Sequence, residues 1–513
     1  MSNSAFNIVI VGGGTAGWLT AGIISAAIKE KYAAHKFRVT LIESANIATI
    51  GVGEGTWPTM RQTLSKMGIS EFDFIQKCNV SFKQGSKFVG WNTGQAGDYY
   101  YHPFSLPIDY MKTNLAEHWM LNDHGMPYAE IVTPQQVISE LSLAPKQITT
   151  PEFSTVCNYG YHLDAGLFAK YLQQHCIKNL NVEHIVDDVI SVNGQQGADI
   201  NSIKTASNGD IEGDLFIDCT GTKSLLLGEH YQVPFISKKD VLFIDSALAV
   251  QVPYSDENTD ISSTTLSTAQ EAGWIWDIGL FSRKGVGYVY ASKYISDDEA
   301  RSQLLKYLSA SHTKIDELSF RKIQFEPGHR KEFWKHNCVA IGLSAGFIEP
   351  LEASALALVE QAASMIAEQL PRSRMAMNNL EKRFNERFIY RWQRIIDFLK
   401  LHYVLSVRSD SKFWLDNRLP HTIPNSLKQL LESWQHQAPW HYDFDRCEVF
   451  PSASYQYILC GMGFKTQLDD LVLSIKAQEA AVNNYNENQR LTAKYLSGLE
   501  SNRSLLNKIH SIK

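Results

Sequence analysis

Apolar residues come early in the chain and in short blocks. Ile8-Val9-Ile10-Val11 ends at Gly12-Gly13-Gly14-Thr15-Ala16-Gly17, an apolar stretch over residues 18–28 follows, and residues 37–42 alternate before closing on Glu43. A short apolar block bounded by glycine predicts a strand, and the longer block behind the turn predicts a helix. The segment up to Glu43 thus predicts a strand–helix–strand unit, the building block of an α/β fold with a parallel sheet.

Farther along, residues 64–144 hold no steady period and predict loops. Helical spacing returns over residues 160–174. Residues 181–194, 203–221, 240–252 and 273–293 predict strands, with a Ser/Thr-rich helix start near Thr264. Residues 337–342 predict a strand and 350–369 a helix that opens at Pro350 and is broken at Pro371. The pattern then becomes helical over 378–405, 424–437 and 465–509, where Leu491, Tyr495 and Leu499 recur at i, i+4 and i+8. This predicts a core over residues 1–375, with an irregular insertion near 80–150, and a mainly helical C-terminal subdomain over 376–513.

Composition narrows the class. Lys and Arg total 48 against 54 Asp and Glu, a net charge of −6, which speaks against a broad nucleic-acid surface. Hydrophobic residues at 44% and charged residues at 20% are those of a globular protein. Nothing approaches the apolar run of about 18 residues that a spanning helix needs, so no membrane partner is expected. Residues 1–5 lead straight into the first apolar block without the pattern of a secretory leader, so a cytoplasmic protein is expected. The seven cysteines are scattered without a CxxC pair, so neither a disulfide framework nor a metal site is expected.

Gly12, Gly14 and Gly17 form GxGxxG. The first glycine allows the tight turn, the second lets backbone approach a pyrophosphate, and the third permits close helix packing. The helix behind it offers exposed N–H groups and a favourable dipole to phosphate. Glu43 ends the second strand, where an acid can hold a ribose 2′-hydroxyl and would repel a 2′-phosphate. Two later elements favour FAD over NAD. An apolar strand reaches Asp218 and a polar glycine turn, and another, Cys338-Val339-Ala340-Ile341-Gly342, precedes a further helix start.

Four motifs resemble those of the flavin-dependent tryptophan halogenases. They are Val11-Gly12-Gly13-Gly14-Thr15-Ala16-Gly17-Trp18, Ile50-Gly51-Val52-Gly53-Glu54-Gly55-Thr56, Gly273-Trp274-Ile275-Trp276-Asp277-Ile278-Gly279 and Gly346-Phe347-Ile348-Glu349-Pro350-Leu351-Glu352. They occur in order over residues 6–370. The resemblance implies an FAD-binding Rossmann-like domain of the flavin monooxygenase type, with a substrate-binding insertion over about 80–150 and the helical residues 376–513 completing the substrate pocket. It implies that FADH2 from a separate flavin reductase reacts with O2, that chloride or bromide becomes hypohalous acid, and that an indole-type ring is halogenated. A homodimer is compatible with it.

The resemblance also implies roles. FAD would be held by Gly12, Gly14, Thr15, Ala16, Gly17, Glu43, Gly51, Val52, Gly53, Glu54, Asp218 and Gly342. Lys83 corresponds to the family's catalytic lysine and Glu352 to its active-site glutamate. Ser354 and Ala355 match the halide-binding pair, with Ala355 in place of a glycine. Trp274 and Trp276 would keep substrate from the flavin, with Gly279 in place of a proline. Tyr101-His102-Pro103-Phe104 resembles the family's indole-binding segment, so His102 and Phe104 would sandwich the ring, with Phe450 as a further candidate. On one continuous strand Lys83 and Lys87 would share a face; Lys87 is read as structural. Ala353 replaces a serine of the tryptophan enzymes, which leaves tryptophan and other indoles both open as substrates. The competing readings are a flavin-dependent aromatic monooxygenase and a non-catalytic flavin-binding relative.

Overall fold

In the computed structural model, Phe6–Val11 is a strand flanked on both sides by parallel partners, Leu215–Asp218 and Phe37–Glu43. Residues 5–33, 36–47, 53–122, 125–310, 315–371, 373–444, 448–468 and 472–512 are described. The chain divides into two units, one of residues 1–80, 163–238 and 326–392, the other of residues 81–162, 239–325 and 393–513.

The first unit is built on a six-stranded sheet. Its order is Trp334–Lys335, Cys338–Ala340, Leu215–Asp218, Phe6–Val11, Phe37–Glu43 and Glu183–Val186, all parallel except the first pair. A parallel sheet covered on both faces reads as continuous apolar strands, and Ile8 to Val11 are all buried. Helix Thr15–Lys31 packs against helices Ala165–Leu180 and Ser354–Glu368 and buries Trp18, Leu19 and Ile24.

The second unit carries a seven-stranded sheet in the order Phe320–Gln324, Ser246–Pro253, Arg283–Tyr290, Gly273–Gly279, Thr265–Gln270, Gly85–Val89 and Tyr99–Pro103. Pairing is antiparallel except between Thr265–Gln270 and Gly85–Val89. Its helices include Leu115–Leu121, Tyr128–Val132, Ser452–Gly461 and Ile475–Gly498, joined through a core of Tyr101, Tyr128, Val132, Tyr457 and Ala481.

Several elements differ from their sequence expectation. Residues 160–164 are a strand, and the helix starts only at Ala165, where the Asp164 carboxylate accepts the amides of Gly166 and Leu167. The Ser/Thr-rich stretch near Thr264 becomes the strand Thr265–Gln270, paired on both edges. Pro350 does not open a helix: a left-handed turn intervenes and the helix begins at Ser354. Within residues 465–509 there are two helices, separated where Ser501 caps Asn502–Ser511. Among the described residues no helix is long and apolar enough to cross a membrane, and no group of three metal-binding side chains occurs.

Candidate active site

The glycine turn is shaped by close backbone approach. Gly12 has φ +116°, and a Cβ there would lie 2.2 Å from the Cys219 carbonyl oxygen; one on Gly17 would lie 1.9 Å from the Gly12 carbonyl oxygen. Gly14 is different: among the described residues, a Cβ there would meet nothing within 4 Å beyond its chain neighbours and its own helix. Gly14 caps helix Thr15–Lys31 without a side-chain hydrogen bond, and the first turn holds no acidic residue. Open space above a helix start with free amides suits a pyrophosphate. The Thr15 hydroxyl donates to the Ala165 carbonyl at 3.4 Å. Gly342, at φ +75°, brings its backbone against Ala16, where a Cβ would come within 2.7 Å of that methyl group.

Glu43 reaches the same turn. Its Oε1 accepts from Gln173 at 2.8 Å and faces His184 Nε2 at 2.6 Å, while Oε2 lies against Gly13. The residues therefore fit a dinucleotide: open space at Gly14 and an oriented carboxylate at the end of the second strand. Gly53 and Glu54 lie in the strand Gly53–Gly55. Burial first, and the Asp164 charge second, push the Glu54 carboxyl up to about 7. Gly51 and Val52 lie outside the described residues.

Asp218 is fully buried and is committed to its own turn. Its carboxylate accepts from the Thr220 amide at 3.0 Å and hydroxyl at 2.6 Å, from Ser224 at 3.3 Å, and from the Leu226 and Leu227 amides at 2.9 Å each. It organises residues 220–228 rather than presenting a carboxylate to a ligand.

Glu352 lies in a strained turn. It has φ 65° and ψ 8°, and Ala353 has φ 52° and ψ 44°. Left-handed backbone costs about 1–2 kcal/mol at each such residue, and neither is glycine or asparagine. The buried indole N–H of Trp57 donates to the Glu352 carbonyl at 2.7 Å. Helix Ser354–Glu368 follows without a side-chain cap, which leaves the amides of Ser354 and Ala355 in its first turn. Farther down this helix, Glu360 accepts the hydroxyls of Thr63 at 2.5 Å and Thr59 at 3.2 Å.

Lys83 belongs to the second unit. Its strand, Ser81–Lys83, pairs with residues 160–162, Lys83 opposite Gly160. Lys83 and Lys87 do not share one strand. Gly85, at φ +149°, turns the chain from this pairing into the larger sheet, and a Cβ there would lie 2.3 Å from the His102 carbonyl oxygen. Lys83 is 1% exposed, with Nζ 5.4 Å from the centre of the Phe104 ring. Burial, and then the Lys83 charge, hold His162 well below the usual imidazole range. Lys87 is instead ion-paired to Glu140 at 2.7 Å.

His102 is buried near these residues, with Nε2 2.9 Å from the Ser454 hydroxyl and its ring 5.7 Å from Phe398. Phe450 is buried and stacks on Phe398 at 3.9 Å. Trp274 is buried 6.3 Å from Trp91, and the Trp276 ring lies over Gly287, where a Cβ would come within 2.1 Å of it. Gly279 accepts the Ser81 hydroxyl at 2.5 Å, two residues before Lys83. Sequence reading missed His162, Ser454 and Trp57. The alternation of buried tyrosines at 159 and 161 could have marked His162 on the opposite strand face; no local signal marks the other two.

Known proteins resemble this chain along nearly its whole length. The tryptophan halogenase family model matches residues 7–477. The 7-chloro-L-tryptophan 6-halogenase KtzR of Kutzneria sp. (strain 744) is 33% identical, over 92% of this chain and 94% of its own. The solved structure of a tryptophan halogenase from Shewanella frigidimarina NCIMB 400 is 50% identical with a TM-score of 0.95, covering 99% of this chain and 98% of that one. The structure of Tar14, a tryptophan C-6 flavin-dependent halogenase from taromycin biosynthesis, is 32% identical with a TM-score of 0.90, covering 99% and 100%. A family match over residues 7–477, and relatives of this identity and coverage, place the chain in the tryptophan halogenase family: it is a flavin-dependent halogenase.

Proposed function

We propose that the chain uses FADH2, O2 and chloride or bromide to form hypohalous acid and with it halogenates an indole-type ring, tryptophan or another indole. The observation that carries the reading is Lys83, a buried amine facing the Phe104 ring. Removing an ammonium from water is costly, so its retention calls for a task.

FAD would be held by Gly12, Gly14, Thr15, Ala16, Gly17 and Glu43, and when reduced would supply the electrons that activate O2. The remaining steps belong to side chains. Lys83 donates an N–H to hypohalous acid and weakens its oxygen–halogen bond, so the halogen leaves as an electrophile and the hydroxide departs as water with the donated proton. The ring attacks with an electron pair, and the Glu352 carboxylate takes the proton lost as aromaticity returns. The Ser354 and Ala355 amides hold the halide, whose charge a helix start favours. His102, Phe104 and Phe450 supply aromatic faces for the indole. Trp274 and Trp276 keep the ring from direct flavin oxidation.

The test is a panel of tryptophan, indole and their analogues with FAD, a flavin reductase, NADH, and bromide or chloride. A mass increase of one halogen on an indole is expected. Peroxide without halogenated product across the panel would refute the reading; hydroxylated product without halide would favour the monooxygenase.

A further inference from the structure

We propose that Trp57 is a positioning residue for Glu352, its indole N–H locking the left-handed turn that aims the carboxylate and sets the first amides of the following helix. This rests on the role given to Glu352 above. Two successive left-handed residues without a glycine persist only when their surroundings over-determine them. The Glu352–Ala353 peptide fixes ψ of the first and φ of the second, so whatever holds its carbonyl selects both angles. The Trp57 N–H, a donor and never an acceptor, holds that carbonyl at 2.7 Å in a buried setting.

A second grip acts on the same helix. Thr59 and Thr63, on helix Thr59–Lys66, bond the Glu360 carboxyl group. Residues 57–63 thus hold both the turn ahead of helix Ser354–Glu368 and its middle. Losing this buried hydrogen bond removes the indole's hold on the carbonyl and frees the turn to relax.

The experiment compares wild type with Trp57→Phe, which keeps an aromatic ring and removes the donor. Expected are a roughly tenfold fall in kcat for halogenation, an unchanged KM for the indole substrate, and unchanged FADH2 oxidation, so that less product forms per FADH2. Amide exchange of residues 352–356, measured by mass spectrometry on flavin-free protein, should quicken by about tenfold. Adding Ala353→Gly, which lowers the cost of the left-handed turn, should restore part of the protection and of kcat. If the phenylalanine variant does not fold, β-(3-benzothienyl)alanine at position 57 replaces the N–H by sulfur in a ring of nearly the same shape. Wild-type kcat with wild-type exchange in either variant would overturn the inference, as would a change confined to KM. A wild-type chain that halogenates nothing would instead refute the proposed function, while the exchange data would still report the grip of Trp57.

Discussion

The Lys83 amine nitrogen lies 5.4 Å from the centre of the Phe104 ring, inside the second unit. A cation over an aromatic face is stabilised by about 0.5–2 kcal/mol, more as water is excluded. Lys83→Ala should therefore remove halogenated product while FADH2 oxidation continues. Lys83→Arg should not rescue it, because a guanidinium neither fits a compact amine site nor gives up its proton. Phe104→Leu should lower kcat/KM for indole about tenfold. Steady-state kinetics with bromide checks all three; normal product from Lys83→Ala would remove Lys83 from the mechanism.

Glycines 14 and 17 should fail in opposite ways. Among the described residues, valine at Gly14 meets no atom beyond its chain neighbours and its own helix within 4 Å of its Cβ, so folding should survive while FAD binding weakens at least tenfold. Alanine at Gly17 would place a Cβ 1.9 Å from the Gly12 carbonyl oxygen, and the protein should lose its fold. Flavin fluorescence quenching and a thermal melt separate the two; unchanged FAD affinity in Gly14→Val would take the cradle away from the cofactor.

Glu360 gives a pH signature. Burial pushes its carboxyl from an ordinary 4.5 up to about 7, against the pull of its two threonine bonds. Between these values the folded chain holds a proton that the unfolded chain releases, so stability falls as pH rises from about 4.5 to 7 and then levels. The loss is about 3 kcal/mol at most. Glu54 adds a loss of the same sign. Glu360→Gln should consequently gain on wild type in urea unfolding at pH 8 and lose that advantage toward pH 5. A gap that stays constant with pH would contradict the assignment.

What the sequence announced were features written locally. The glycine turn, the strand before it and Glu43 need only neighbours in the chain to be read. The break after Lys83 does not show in that way: residues 81–88 can be read as one strand, and only pairing with Gly160 on one side and Pro103 on the other divides it. The left-handed pair Glu352–Ala353 was equally hidden, since neither side chain signals positive φ and the donor that holds it is 295 residues away. Asp218 marked a strand end correctly, yet its carboxylate is occupied by partners that only the folded turn assembles.

That occupied carboxylate bears on how the enzyme is supplied. Asp218 spends both oxygens on its own chain, so the crest of the sheet is set before any ligand arrives. Binding then need not drive folding; flavin adds stability only in proportion to its concentration over its dissociation constant. On the proposed function, an apoprotein with a finished cradle would take up reduced flavin, release it oxidised and wait intact for the next. The cofactor would then be a travelling reagent, and the rate at which a reductase delivers it would limit turnover.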